Sequence, residues 1–167
     1  MKRSKLTGEL VIRNAEIEDT SMILSFIQEL AHYEKLSDQV TATEEKLQES
    51  LFSAGSAAHV LIAEYENDPA GFAVYCFNYS TFLAQPGLYL EDLYVRPVLR
   101  GKGIGRALLV EVAQLARDHN CGRLDWAVLD WNEPAIRFYQ NLGATVLEEW
   151  TLFRLTDSAL ENVAVNS

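Results

Sequence analysis

Four cations, Arg96, Arg100, Lys102 and Arg106, crowd the run Leu93-Tyr94-Val95-Arg96-Pro97-Val98-Leu99-Arg100-Gly101-Lys102-Gly103-Ile104-Gly105-Arg106. After it, Leu108, Leu109, Val112, Leu115 and Ala116 recur at helical spacing, which predicts a helix starting between Gly103 and Arg106. A helix N-terminus carries partial positive charge and unpaired N–H groups, so Arg100, Lys102 and Arg106 each oppose it by about 0.3–1 kcal/mol. That conflict calls for an anion. Glycines at 101, 103 and 105 leave the backbone donors unshielded by Cβ atoms, which suits a pyrophosphate. Gly103 follows Lys102 where a P-loop needs Ser or Thr, and Arg106 stands where a dinucleotide loop needs its third glycine. A glycine-rich connection that merely turns the chain is the competing reading of the loop residues alone.

Two further groups of residues could do chemistry. In Leu88-Tyr89-Leu90-Glu91-Asp92-Leu93-Tyr94-Val95, successive carboxylates interrupt an apolar strand, so a regular pleat puts them on opposite faces with at least one buried. A buried acid needs a partner. In Trp131-Asn132-Glu133-Pro134-Ala135-Ile136-Arg137-Phe138-Tyr139-Gln140-Asn141-Leu142-Gly143-Ala144, Asn132 is a helix cap, Pro134 a first-turn residue and Gly143 a stop. Tyr139, beside Ile136 and Phe138, reads as packing or as chemistry. His32, His59 and His119 lie on separate elements without ligand spacing, so no metal is expected. Cys76 and Cys121 offer neither metal spacing nor a disulfide framework, and are expected to be reduced and structural.

These groups need elements to hold them, and 167 residues with 49% apolar and 23% charged side chains suit one globular domain. The net charge of −10 excludes a general nucleic-acid surface and suits a cationic partner, the basic loop being a local exception. The basic start, Met1-Lys2-Arg3-Ser4-Lys5, leads into no continuous apolar run, so neither a secretory signal nor a membrane span is expected and the cytoplasm is the default location. Periodicity predicts strands at Leu10–Arg13, His59–Glu66, Gly71–Asn78, Tyr89–Val95 and Arg123–Leu129, with one or two more in Thr145–Leu155. A turn is predicted at Asn67-Asp68-Pro69-Ala70. Besides the two helices already met, one follows a cap at Asp19 or Thr20 with Ile23, Phe26, Ile27, Leu30 and Ala31 inward, and another spans Thr43–Phe52. The order is mixed α/β, with a strand–helix–strand unit around the glycine loop.

Read as R-x-x-G-x-G, Arg100, Gly103 and Gly105 resemble the acetyl-CoA loop of the GNAT acetyltransferases, and Trp131 to Ala144 is similar to a second motif of that superfamily. Val11-Ile12-Arg13, Glu29-Leu30-Ala31-His32-Tyr33-Glu34, Leu88-Tyr89-Leu90-Glu91-Asp92 and Trp150-Thr151-Leu152-Phe153-Arg154-Leu155 resemble the diamine acetyltransferases, the spermidine/spermine type and its thialysine-acetylating relatives. The resemblance implies one α/β domain over residues 6–157, with 1–5 and 158–167 as terminal extensions. It implies a twisted, mixed but mostly antiparallel sheet flanked by helices, whose splayed central strand pair holds acetyl-CoA. Leu93, Tyr94 and Val95 would pair with the pantetheine arm beyond a strand bulge. Arg100, Gly101, Lys102, Gly103, Ile104, Gly105 and Arg106 would hold the pyrophosphate, and Asn132, Glu133, Pro134, Ala135 and Tyr139 the CoA arm. Glu91 matches the proposed base and Tyr139 the proposed acid, while Tyr33, Glu34, Glu91 and Asp92 match residues that meet a small cationic amine.

Family members are generally homodimers, so a homodimer is the expected assembly, without nucleic acid, membrane or metal. The chain departs from the polyamine pattern at Ser80-Thr81-Phe82, where an acid, Pro and Trp are missing, and at Asp125-Trp126, where an acid replaces a histidine. Asp125 is either a relocated cation contact, with Trp126 beside it, or a solvated strand residue. The implied activity is acetyl transfer from acetyl-CoA to a primary amine; a peptide acetyltransferase and a non-catalytic CoA sensor are the alternatives.

Overall fold

A computed structural model describes residues 8–165. The expected extension 1–5, and the last two residues of the extension 158–167, lie outside the described residues. Five strands form one sheet in chain order: β1 (Leu10–Asn14), β2 (His59–Tyr65), β3 (Asp68–Ser80), β4 (Gln85–Val95) and β5 (Leu124–Asp125). Neighbours are antiparallel except β4 and β5, which are parallel. The pleat sorts the apolar residues between two faces. On one, Val60, Ile62, Phe72, Val74 and Tyr94 meet Ile23 and Phe26 of α1 (Thr20–Glu34) and Leu47 of α2 (Glu44–Leu51). Burying side chains such as Phe26, Phe72 and Ile62, all fully inaccessible, contributes roughly 1.5–3 kcal/mol each. The alternate residues Leu61, Ala63, Ala73, Tyr75, Leu88 and Leu90 are buried on the other face. There α3 (Ile104–Asp118) packs with Ile104, Leu108, Leu109, Val112 and Ala116 inward.

Two clusters of charge tie helices to strands. Arg13 of β1 pairs with Asp19 at 2.6 Å and with Glu64 of β2 at 2.8 Å. Its hydrogen bonds hold the Asp19 carboxyl below the usual carboxylate range, and the Glu16 N–H adds to them. Asp19 therefore stands at the cap position of α1 without capping it. Glu29 of α1 accepts from Arg96 Nε and Nη2 at 3.2 and 3.0 Å and from the Tyr94 hydroxyl at 3.0 Å. Burial pushes the Glu29 carboxyl up, but the bonds from Arg96, Tyr94 and Ser25 outweigh it and leave it low.

Several expectations need correction. The β2–β3 turn sits at Glu66-Asn67, both left-handed at φ 54° and 67°. Pro69 and Ala70 therefore lie inside β3, where Pro69 faces Glu64 and a register shift next to it leaves Ala70 without a partner on β2. The strand expected over Arg123–Leu129 shrinks to Leu124–Asp125, and none forms in Thr145–Leu155. A strand persists only with a hydrogen-bonded neighbour, and no described strand pairs with that segment.

The chain divides into two compact units between Ala127 and Val128. The second contains α4 (Glu133–Gln140) and α5 (Asp157–Val165). As the sequence predicts, Asn132 Oδ1 caps α4 by accepting from the Ala135 N–H at 3.4 Å, Pro134 is in its first turn, and Gly143 follows its end with φ 93°. The unforeseen α5 occupies most of the expected terminal extension. Among the described residues no helix is long and apolar enough to cross a membrane, and no group of three or more His, Cys, Asp or Glu could hold a metal ion. Cys76 and Cys121 are free thiols.

Candidate functional site

Beyond β4 the chain makes a short 3-10 turn, Pro97–Leu99, and reaches α3 through Arg100 to Gly103. Gly101 and Gly103 have φ of 79° and 87°, the left-handed region where a side chain is strained, and Gly103 takes the cap position. A Cβ at either would have nothing within 4 Å, so open space lies over both. The first backbone bond into α3 runs from the Ala107 N–H to the Gly103 carbonyl. Among the described residues, no N–H from Gly101 to Arg106 donates to a backbone carbonyl. Unspent donors, a helix N-terminus and open space form a cradle that fits a phosphate.

The four cations there are not equivalent. Arg96 is committed to Glu29 and to the Pro69 carbonyl, and does not serve the loop as a free charge. Arg100 Nε donates to the Val95 carbonyl at 3.0 Å, and its guanidinium lies 4.5 Å from the Tyr33 ring centroid and 5.8 Å from that of Tyr94. The Lys102 ammonium lies 5.0 Å from the Tyr65 ring, and Arg106 is exposed. Three cations remain for an anion.

The carboxylates sit on β4, where the ladder to β3 is irregular. Val74 faces Asp92 and Tyr75 faces Leu90, so Glu91 is an extra residue without a partner opposite it. This bulge breaks the regular pleat on which the expectation of opposite faces rests. Asp92 shares the face of Val74, towards α1, and Glu91 lies close enough for its charge to raise both Asp92 and the thiol of Cys76. Glu91 is exposed and Asp92 half-buried. Loss of water pushes Asp92 up to about 6, with the charges of Glu91 and of Glu34, the last residue of α1, adding to the effect. Burial also raises Glu34. Tyr33, Glu34, Glu91, Asp92 and Arg100 are thus brought together in the first unit.

Along its other edge β4 pairs with β5 only at Leu88↔Leu124 and Tyr89↔Asp125. From Glu91 to Val95 no described strand of the sheet lies on that side, so the backbone edge at Leu93, Tyr94 and Val95 is unpaired there. Asp125 is half-buried and ion-paired with Arg123 at 2.9 Å; Trp126, next to it, is half-buried too. Ser80 is buried, and its hydroxyl accepts from the Leu83 N–H within the β3–β4 hairpin. In the second unit, Asn132 is buried beneath its capping bond, Glu133 and Pro134 are exposed, and Ala135 is half-buried. Tyr139 is half-buried too, and burial pushes its phenol up to about 12.

Glu29 is the residue whose importance sequence reasoning missed. The signal for it was an acid on the inward side of an apolar helix, together with an arginine ending an apolar strand.

The profile of the acetyltransferase (GNAT) family matches residues 24–144. The chain is 42% identical to a thialysine N-epsilon-acetyltransferase of Bos taurus, over 93% of this chain and 97% of the relative. It is 34% identical to the spermidine/spermine N(1)-acetyltransferase-like protein 1 of Homo sapiens, over 92% of this chain and 23% of that longer protein. Among solved structures, the integron cassette protein VCH_CASS6 from the mobile metagenome of V. cholerae aligns with a TM-score of 0.77 at 30% identity, over 93% of this chain and 98% of that one.

Proposed function

The chain belongs to the acetyltransferase (GNAT) family and is an N-acetyltransferase; on that premise we propose that its substrate is a compact, lysine-like amine or diamine. The observation that carries this reading is the half-buried Asp92, with Glu91 and Glu34 around it, on the strand that ends at the phosphate cradle. A cation is the natural occupant of such a site. Relatives named for thialysine and for ornithine acetylation support an amine on a short chain. Asp125 and Ser80 are engaged by Arg123 and by the Leu83 N–H, so neither is a spare counter-charge for the far ammonium of a long polyamine.

Acetyl-CoA supplies the acetyl group as an activated thioester. The N–H groups of Gly101 to Arg106, with Arg100, Lys102 and Arg106, fit its pyrophosphate, and the unpaired edge of Leu93 to Val95 fits its pantetheine amides. An alkylamine of pKa about 10.4 is neutral in only about one molecule in 2,500 at pH 7, a cost of about 4.6 kcal/mol. Direct proton transfer to a carboxylate of ordinary pKa is uphill by about 8 kcal/mol. In our reading Asp92 binds the ammonium, desolvation lowers its pKa, and the proton leaves through water at the exposed Glu91. The neutral nitrogen then bonds to the acetyl carbon as the carbon–sulfur bond breaks, with no covalent enzyme intermediate, and the surplus proton on nitrogen passes through water to the departing thiolate, leaving the N-acetyl amine and free CoA thiol. Tyr139 matches the acid of the family motif; with its phenol at about 12, full proton transfer to a thiolate of pKa near 8.5 is uphill by about 5 kcal/mol, which favours a hydrogen-bonding role for it.

We further propose a cytoplasmic homodimer. Exposed apolar side chains in the second unit, Trp150 at 76%, Leu152 at 78% and Phe153 at 89%, support a second copy as their cover.

The test is to incubate the protein with acetyl-CoA and with thialysine, ornithine, putrescine, spermidine or a lysine-containing peptide, following free thiol and product mass. Thiol release with a small diamine or lysine analogue is the expected result. Acetylation of the peptide alone, or CoA binding without thiol release from any amine, overturns the proposal.

A further inference from the structure

The C-terminal end of α1 and the phosphate loop meet at Arg100. Arg100 is pinned on three sides, by the Val95 carbonyl at Nε and by the rings of Tyr33 and Tyr94. No carboxylate pairs with it among the described residues, so its terminal nitrogens can take an anion without leaving that seat. Tyr33 precedes Glu34, and α1 ends there, with Lys35 left-handed at φ 61°. One turn earlier, Glu29 fixes the helix to Arg96 and Tyr94 at the exit of β4. The last turn, which carries the carboxylate, extends past that anchor. Terminal turns are the first part of a helix to open.

We propose that Arg100 is a positioning residue that, by its stack on Tyr33, transmits occupation of the phosphate loop to the Tyr33–Glu34 end of α1. A guanidinium held by an anion on one edge and by a carbonyl at Nε has little freedom to turn, and the ring stacked on it is held with it. Binding of the acetyl donor thereby orders one wall of the amine pocket, so the two ligands favour each other through free energy shared at that contact.

The inference rests on the reading of the loop as a pyrophosphate site, and hydrogen–deuterium exchange of the full chain with and without CoA separates the two. Protection of amides 101–106 by CoA reports the loop; protection of amides 31–35 reports the relay. In the unaltered protein both are expected, with exchange at 31–35 slowed roughly fivefold or more. Arg100→Lys, which keeps the charge but not the planar stack, and Tyr33→Leu are expected to keep loop protection and lose it at 31–35. Tyr33→Phe, which keeps the ring, is expected to retain both. Unchanged or faster exchange at 31–35 while 101–106 are protected overturns the relay, as does full protection in Arg100→Lys. Absence of loop protection in the unaltered protein overturns the pyrophosphate reading itself.

Discussion

Asp92 carries an energetic cost that its proposed place beside a substrate ammonium explains. Its folded-state carboxyl, at about 6, lies above the unfolded value near 3.9, so its contribution to stability is fully favourable below about pH 3.9 and is lost as pH rises through about 6. At pH 7 the buried charge is a net burden. Asp92→Asn should therefore raise stability at pH 7 by about 1–2 kcal/mol in urea unfolding, with the gain vanishing in acid. The same substitution should raise the amine KM at least tenfold while the acetyl-CoA KM stays within about twofold. In the unaltered protein the amine KM should climb as pH falls below about 6, and this inflection should be absent from the variant. Tyr139 belongs to the same scale. Tyr139→Phe should lower kcat about 10- to 100-fold with little change in acetyl-CoA affinity; single-turnover kinetics with an unchanged chemical step would remove its proposed role.

At the level of elements, the contacts that matter are those that hold α1 against the exit of β4. Glu29→Gln should cost about 1–3 kcal/mol of unfolding free energy near neutral pH, because Arg96 then keeps a half-buried charge without its carboxylate. Since Glu29 is held low, the deficit should shrink as acid protonates it, which urea titrations at two pH values will test. Why this tie was invisible in the sequence is plain from its span: Glu29 and Arg96 are 67 residues apart, and no local period connects them. Local signals did better. The spacing of Leu108, Leu109, Val112, Leu115 and Ala116 marked α3 and its inward face, where all but the half-buried Leu115 are buried, and Asn132 with Pro134 marked the start of α4. Strand signals are weaker guides. The apolar residues between Trp150 and Leu155 suit a strand, yet nothing local to them reveals whether a neighbouring strand will pair with it.

On the scale of the whole molecule, the acidic surface and the exposed apolar residues of the second unit make opposite demands. A net charge of −10 favours separate, soluble copies, whereas Trp150, Leu152 and Phe153 favour association. If a second copy covers them, sedimentation velocity at micromolar concentration should give a dimer, and Trp150→Glu with Phe153→Glu should give a monomer that retains the circular dichroism of the sheet. A monomer in the unaltered protein at every concentration and salt would remove the proposed assembly.

The unopposed residue in β4 has one last implication. Excising Glu91 would leave Leu90 against Tyr75 and Asp92 against Val74, the pairings those residues already have, now in an unbroken ladder. A chain one residue shorter should thus fold at least as firmly while turning over its amine poorly. Selection for a tidy sheet alone would have deleted that codon.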